Sequence, residues 1–379
     1  MTHRAATVVE KITAWAERLP PGLAAALFLL PFAYAALHQL LWPKPWFTDF
    51  YAVACAGDAL VHNMPIYPPK PACPVFGTAF VYPPLCAQIS AWLQARLGLG
   101  GETALYALVY AGALLGVLAV LLRRPGLGAR APFLAALSVS GIRPGNLSVL
   151  LHAGILFTSR RCAARPLLLL PPIALACVLK PTFSVYAALF LFTAGPWWRR
   201  AAWGAAALLP AALYFVYFRL DDPNLFTAWL SVMRLWGWRL DHGHGFLNLI
   251  ALAGIGNFTA VGLLYAAYAA LLLLCGLHLA QRDAMPPAER LMLGIAVCIL
   301  LYPRLMPYEQ LGLPLGMGLL TQNGGKMVRN LAYGSGIACL AAGGNLGGQL
   351  LYCGCCALLI GRAMACPRPG AMAAITPSA

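Results

Sequence analysis

An acidic residue between aromatic side chains stands just beyond the first long apolar run of the chain. The run covers residues 22–42, and Asp49 follows in the segment WFTDFYAVACAGDALVHNMPIYPP, residues 46–69. A carboxylate that is positioned beside an acceptor hydroxyl can take its proton as a general base. Asp58, nine residues further on, is the second candidate for this base. The alternative role for Asp49 is a helix N-cap, since residues 50–62 have a helical pattern.

Basic residues stand beside proline at three predicted helix ends: Arg143-Pro144, Lys180-Pro181 and Pro303-Arg304. Cations that converge at a membrane boundary can bind an anionic headgroup and stabilise a leaving phosphate. The alternative is that each long side chain simply reaches out of the lipid to the interface. The sequence predicts a phosphate-binding set made of Lys180, Arg143 and Arg304.

The segment 220–257 mixes indole rings with histidine, amide and charged side chains. Trp and Tyr faces can stack on sugar rings and Asp, Asn and His can bind hydroxyls, whereas the alternative is an interfacial aromatic belt. His242 and His244 form a weak metal pair with no third ligand at a fixed spacing, so no cofactor is expected and a divalent metal is the alternative. The candidates for sugar or acceptor binding in this segment are Trp236, Trp238, Asp241, His242, His244 and Asn248.

The composition of the chain places these residues in a membrane protein. Hydrophobic residues make up 61% of the sequence and charged residues 10%, against about 25% charged in a soluble domain. Lipid offers the backbone no hydrogen bonds, so helices are the expected spanning form. The net charge of +15 is explained by basic cytoplasmic loops, so no nucleic-acid partner is expected.

The predicted fold is an all-α polytopic bundle of about twelve transmembrane helices, roughly 10 to 13, in a single domain over residues 1–379. Both termini are expected in the cytoplasm, with outer loops at 43–101 and 220–257. The first of these loops is expected to carry juxtamembrane helices, because residues 85–98 fit a helix that lies along the surface. The cysteines are expected to be mostly free core thiols, since no CxxC pair occurs. The predicted spans are 22–42, 102–122, 131–142, 146–159, 166–180, 181–195, 201–219, 258–280, 290–303, 308–322, 330–343 and 346–361.

Several short elements, taken in order, resemble the GT-C superfamily of membrane glycosyltransferases, and most closely glycosyltransferase family 87, a mannosyl- and arabinosyltransferase-like group. Asn146 stands where the family has Gln and Glu309 where it often has Asp, and these departures bear on the acceptor more than on the reaction. The elements are Asp49-Phe50-Tyr51, Ile66-Tyr67, Phe80-Val81-Tyr82-Pro83-Pro84, Gly145-Asn146-Leu147-Ser148, Leu179-Lys180-Pro181 and Tyr302-Pro303-Arg304-Leu305-Met306-Pro307-Tyr308-Glu309.

The resemblance implies a GT-C-like bundle that performs an inverting transfer from a polyprenyl-phosphate sugar to a lipid or glycan acceptor. It places the reaction at the outer, periplasmic face of a bacterial inner membrane, with Asp49 as the base. It also implies that the candidates for sugar or acceptor binding include Tyr51, Tyr82, Asn146, Tyr308 and Glu309. The competing hypothesis is a transporter or flippase for a lipid-linked substrate, because short spans broken by Gly and Pro also suit a transporter. A cavity ringed by Asp49, Lys180 and Arg304 would favour transfer, and a path through the bundle would favour transport.

Overall fold

The structure is a computed structural model that describes residues 18–41, 46–67, 79–139, 143–236, 242–322 and 324–365, together with Lys11, Ala14 and Trp15. Within these ranges every regular element is a helix. The α-helices are α1 (Pro21–Leu41), α2 (Thr48–Val61), α3 (Pro84–Leu121), α4 (Leu127–Arg130), α5 (Ala135–Val139), α6 (Leu147–Arg161), α7 (Leu170–Leu179), α8 (Trp197–Asp221), α9 (Pro223–Arg234), α10 (Phe246–Leu252), α11 (Phe258–Arg282), α12 (Pro287–Leu300), α13 (Leu313–Gln322), α14 (Lys326–Ala342) and α15 (Gly344–Met364). Tighter 3₁₀ segments cover Ala131–Leu134, Pro166–Leu169, Pro181–Phe192 and Pro307–Gly312.

Five helices in the described part of the chain, α1, α3, α8, α11 and α15, are long and apolar enough to cross a membrane. Large apolar side chains on their surfaces are exposed, among them Leu108 at 73%, Leu213 at 60% and Leu263 at 69%. Such surfaces suit contact with lipid. A helical membrane protein is therefore supported, and the count of about twelve crossings stays a prediction.

Helix α3 joins two elements that the sequence pattern separates. The predicted surface helix 85–98 and the predicted span from residue 102 form one helix with a break at Gly98, where φ is 68° and ψ is 167°. Glycine adopts this left-handed φ without a steric penalty. The part of α3 before the break packs on α2, where Gln94 Nε2 donates to the carbonyl of Ala54 at 2.7 Å.

The predicted outer loop 220–257 is more regular than expected, since α9 and α10 lie within it. Helix α9 holds the first loop in place, because Trp229 Nε1 donates to the carbonyl of Val81 at 3.2 Å. Tyr67 donates from its hydroxyl to the carbonyl of Tyr82 at 2.6 Å within the same aromatic cluster. These contacts bring segments that are about 150 residues apart to one end of the bundle.

The main core surrounds α12, whose residues from Leu291 to Leu300 are all buried. A helix that is apolar on every side must be enclosed by other helices. At Gly316 of α13, an added Cβ would lie 2.6 Å from the carbonyl oxygen of Met292. The close approach of these two helices fixes the element that follows α12 and carries Tyr302 to Glu309.

The cysteines follow the sequence expectation with one exception. Nine described cysteines are free thiols, and most are buried. Cys55, in α2 just after Asp49, is disulfide-bonded, which the sequence pattern did not indicate. Disulfides persist in oxidising compartments, so the side of the membrane that holds α2 is expected to be the oxidising one.

Helix α6 relates the two ends of the bundle. It begins beside Asp49 and ends at Arg161 after 15 residues, so its ends are separated by about 22 Å at a rise of about 1.5 Å per residue. Basic residues concentrate on the cytoplasmic side of membrane proteins. We therefore expect the Asp49 end of the bundle outside and the Arg161 end inside.

Cysteine labelling in whole cells tests this orientation. The free cysteines are replaced by Ala, Cys55 keeps its disulfide, and one reporter cysteine is introduced at Asn224 in α9 or at Arg124. We expect an impermeant maleimide to label position 224 in intact cells and position 124 only after permeabilisation. The reverse pattern would place Asp49 in the cytoplasm and overturn the orientation.

Candidate functional site

The beginning of α2 is fixed against the turn that precedes α6. The backbone N–H of Phe47 donates to the carbonyl of Arg143 at 2.7 Å, and that of Asp49 donates to Pro144 at 2.8 Å. Phe47 has a left-handed φ of 59° and Gly145 one of 63°. A Cβ on Gly145 would lie 2.2 Å from Phe47 Cδ1, so glycine is required there on both conformational and steric grounds.

The side chain of Asp49 is oriented by Asn146, the residue that directly precedes α6. Asn146 Nδ2 donates to Asp49 Oδ2 at 2.7 Å. The amide is fixed in this orientation, because Asn146 Oδ1 accepts a hydrogen bond from the N–H of Ser148 at 2.9 Å and so caps α6. Asp49 makes no capping bond to α2, which begins after Phe47. The N-cap alternative for Asp49 is therefore wrong.

Burial raises the pKa of the Asp49 carboxyl above its ordinary value of 3.8, and the hydrogen bond from Asn146 and the positive charges of Lys180 and Arg304 act in the opposite direction. A carboxylate with a raised pKa is, once ionised, a stronger base than an ordinary aspartate. Its chemistry thus suits removal of a proton from a hydroxyl that is held beside it.

Lys180 lies at the end of α7 and is held by a buried ion pair. Its Nζ is 2.7 Å from Glu309 Oε1, with the lysine side chain 15% exposed and the glutamate side chain 1% exposed. Nζ also donates to the hydroxyl of Ser148 and lies 5.3 Å from the ring centroid of Tyr308. Glu309 Oε2 accepts from the N–H of Met306 at 2.8 Å. These contacts fix the ammonium group at the wall of a cavity.

This first cavity, called here the polar cavity, has a volume of about 210 Å³ and brings Asp49 together with two of the three predicted cations, Lys180 and Arg304. Arg143 does not line it, and contributes its carbonyl to Phe47 instead. The remaining lining residues come from six segments: Ala52, Ala79, Val81, Tyr82, Pro83, Asn146, Pro181, Thr182, Met233, Trp236, Met306 and Tyr308. The predicted residues Tyr82, Asn146, Trp236 and Tyr308 therefore line the same cavity as Asp49, and their role in sugar or acceptor binding stays a prediction.

A second, apolar cavity of about 230 Å³ shares Asp49 and Tyr82 with the polar one. Its walls come from α2, α3, the beginning of α6 and the end of α7, and its apolar lining includes Phe50, Val53, Leu93, Leu105, Val109, Leu147, Leu150 and Leu179. The sequence did not predict this cavity, because its surface exists only once these separate elements meet. The two cavities together offer one polar and one apolar compartment with the Asp49 carboxyl between them.

Glu102 in the wall of the apolar cavity is a residue that the sequence analysis missed. It is 2% exposed, and its Oε1 accepts a hydrogen bond from Ser90 Oγ at 2.7 Å. Its Oε2 has no hydrogen-bond partner in the described part of the chain. The available signal was that Glu102 is the only charged residue between Leu97 and Leu122.

Two predicted residues on α2 lie outside both cavities. Asp58 has a half-exposed side chain, 51%, and lies 3.3 Å from Nδ1 of His62. The ring of Tyr51 packs against that of Phe50, with centroids 5.7 Å apart. The structure therefore separates Asp49 from Asp58 as candidates for the base, since only Asp49 faces Lys180 and Arg304.

The histidine-containing segment after residue 241 contacts the last helix of the bundle. His244 is buried, accepts from Gln310 Nε2 at its Nδ1 at 2.9 Å, and donates from Nε2 to Asn345 Oδ1 at 3.1 Å. Asn248 Nδ2 donates to Gln349 Oε1 at 2.9 Å. These bonds engage both side chains with α15.

The remaining predictions in this segment have different outcomes. His242 lines neither the polar nor the apolar cavity. Trp238 and Asp241 lie outside the described residues. Among the residues that the structure covers, no group of three or more potential metal ligands occurs.

Searches with family profiles, among curated proteins and among solved structures found no significant match for this chain. The resemblance to the GT-C superfamily therefore rests only on the sequence elements quoted above.

Proposed function

We propose that this chain is an inverting glycosyltransferase that uses a polyprenyl-phosphate sugar and transfers the sugar to a hydroxyl of a lipid or glycan acceptor. The observation that carries the proposal is the junction of the two cavities at Asp49 and Tyr82. A polyprenyl-phosphate sugar has the same division, with an apolar chain, an anionic phosphate and a polyhydroxylated ring. In the proposed complex the first isoprene units of the donor enter the apolar cavity, and the phosphate lies beside Lys180 and Arg304.

In the proposed reaction the acceptor hydroxyl attacks the anomeric carbon of the sugar and gives its proton to the Asp49 carboxylate. The bond between the anomeric carbon and the phosphate oxygen breaks, and the electron pair leaves with the polyprenyl phosphate. Lys180 and Arg304 stabilise the negative charge that develops there, which requires fixed cations and no proton transfer. Asn146 orients the base through its bond to Asp49 Oδ2.

The proposed location is the outer, periplasmic face of a bacterial inner membrane, with about twelve crossings. The Cys55 disulfide in α2 supports this placement, because periplasmic proteins keep disulfides that cytosolic proteins lose. The arginine-rich segments at the opposite end of α6 agree with it.

A transporter or flippase for a lipid-linked substrate is the second candidate. The observation in its favour is the interruption at Lys180 between α7 and the 3₁₀ segment Pro181–Phe192, with an ion pair at the break. Broken helices with ionisable residues at the break are frequent in transporters. The two candidates differ in product, because only transfer releases polyprenyl phosphate.

The test uses the purified full chain with a set of polyprenyl-phosphate sugars that differ in the sugar. We expect release of polyprenyl phosphate from at least one of them in the presence of an acceptor extract. With that donor, Arg304→Gln should weaken donor binding by about 10- to 100-fold, since a hydrogen bond to a charged group is lost. The matched control is Arg219→Gln, an exposed arginine at the end of α8 that lines neither cavity. Movement of intact lipid across proteoliposomes without phosphate release would favour the transporter.

A further inference from the structure

A separate cavity lies at the end of the bundle that is opposite to Asp49. It has a volume of about 730 Å³ and opens between the last turns of α3 and α6. One wall is apolar, and three arginines line the other. The lining residues are Gly116, Ala119, Val120, Arg123, Phe157, Thr158, Arg160, Arg161 and Cys162.

Other arginines near the ends of helices contact carbonyl or carboxylate groups of the protein. Arg200 donates to the carbonyl of Leu191 at 2.6 Å, Arg290 donates to Met285 at 2.7 Å, and Arg362 lies 3.4 Å from Asp283 Oδ2. Within the residues that the structure covers, no carboxylate lies within 4.0 Å of the side chains that line the cavity.

Positive charge is concentrated further by a fourth arginine. The guanidinium of Arg130 donates to the carbonyls of Arg123 and Pro125, which holds it beside the rim. Like charges gathered at a partly apolar surface repel one another, and an anion that bridges them relieves the repulsion. Arginine presents paired N–H groups that match the oxygens of a phosphate.

The position and walls of the cavity indicate which kind of phosphate the arginines would bind. Helix α3 is a candidate membrane span that ends at Leu121, so Arg123 stands where a lipid headgroup would lie. Leu115 and Leu122, next to the cavity, are 65% and 40% exposed. The contact between Gly116 and Phe157, where an added Cβ would meet the ring at 2.7 Å, closes the cavity toward the middle of the bundle.

We propose that this cavity binds the phosphate of an anionic phospholipid, with Arg123, Arg160 and Arg161 as its ligands and the acyl chains along the exposed surface of α3. Basic pockets between helices at the cytoplasmic boundary are suited to such headgroups. The site is independent of the proposed glycosyl transfer, because α6 separates the two ends of the bundle over its whole length.

The test measures binding of phosphatidylglycerol to the purified full chain in detergent by native mass spectrometry. The test variant is R123Q/R160Q, and the matched control is R124Q/R165Q, which removes the same charge from neighbouring arginines that do not line the cavity. We expect the test variant to lose about tenfold or more in affinity for phosphatidylglycerol and the control to stay within about twofold. Thermal unfolding of each variant confirms that it is folded. Should R123Q/R160Q unfold, Arg161→Gln and Arg165→Gln provide the same comparison between exposed residues.

Equal weakening by the test and control variants would overturn the proposal, because it would show attraction by the whole basic surface. Unchanged binding in the test variant would also overturn it. Phosphatidylcholine and inorganic phosphate serve as competitors. Weak competition by both supports an anionic lipid, whereas inorganic phosphate that competes as well as phosphatidylglycerol would show that the cavity takes free phosphate.

Discussion

Replacement of Asp49 by Asn is expected to lower turnover of the polyprenyl-phosphate sugar by about 10²–10⁴-fold, the usual contribution of a positioned general base. The asparagine keeps the shape of the side chain and can still accept the hydrogen bond from Asn146 Nδ2. It cannot take a proton from the acceptor. Single-turnover release of polyprenyl phosphate measures the loss, and a separate measurement of donor affinity should show little change.

The matched control is Asp58→Asn, on the same helix. Asp58 is half-exposed and paired with His62, so its replacement is expected to leave turnover within about twofold of the parent, as is usual for an exposed pair. Normal turnover in Asp49→Asn together with loss in Asp58→Asn would identify Asp58 as the base. Normal turnover in both variants would contradict the glycosyltransferase proposal.

The pH dependence gives a second reading of the same residue. Only the ionised carboxylate of Asp49 can act as a base, so kcat/KM should rise with pH through the pKa of this group. Because burial raises that pKa, the acid limb should lie above the ordinary aspartate value of 3.8. The residual activity of Asp49→Asn should lack this limb.

The second large effect is expected from Lys180→Met, which leaves the carboxylate of Glu309 buried without its cation. Breaking a buried ion pair from one side costs about 3–5 kcal/mol, because the remaining charge is desolvated and unpaired. The double variant Lys180→Met/Glu309→Gln removes both charges and should recover most of that stability. Chemical unfolding in detergent measures the single and the double variant against the parent. Equal stability of the single variant and the parent would contradict the ion pair.

The double variant also separates folding from substrate binding. If Lys180 contacts the phosphate of the sugar donor, the double variant should bind that donor more weakly than the parent does, even though it is folded. The matched control is Arg362→Gln/Asp283→Asn, which removes an ion pair on different helices and should leave donor affinity unchanged. Normal donor affinity in Lys180→Met/Glu309→Gln would remove Lys180 from the phosphate site.

The sequence predicted those features that depend on local pattern. Helix ends beside proline placed Lys180 and Arg304 at the surface of the bundle, and the predicted spans 146–159 and 258–280 differ by at most two residues at each end from α6 and α11. Apolar periodicity and breakers decide these boundaries locally. The residues that follow such a boundary are consequently found at the helix end that the sequence predicts for them.

Contacts between distant segments could not be predicted from the sequence. Lys180 and Glu309 are separated by 129 residues, and no spacing rule joins them. The aromatic and histidine content of 220–257 indicated sugar binding, whereas His244 bonds to Gln310 and Asn345. Buried side chains of this kind satisfy whichever polar group the fold brings to them, so residue type alone does not reveal their partner.

The hydrogen bonds of His244 and Asn248 to α15 have a consequence for the time at which the site is completed during synthesis. Their partners Asn345 and Gln349 lie 101 residues later in the chain, and a chain emerges from the ribosome at about 5–20 residues per second with its N-terminal part first. The backbone N–H of His244 also donates to the carbonyl of Leu305, next to Arg304. The segment around His244 therefore makes its last contacts only several seconds after it has been synthesised. The proposed transfer activity is expected to arise only near the end of synthesis, so a nascent chain that already carries Asp49 and Lys180 would hold an unfinished site.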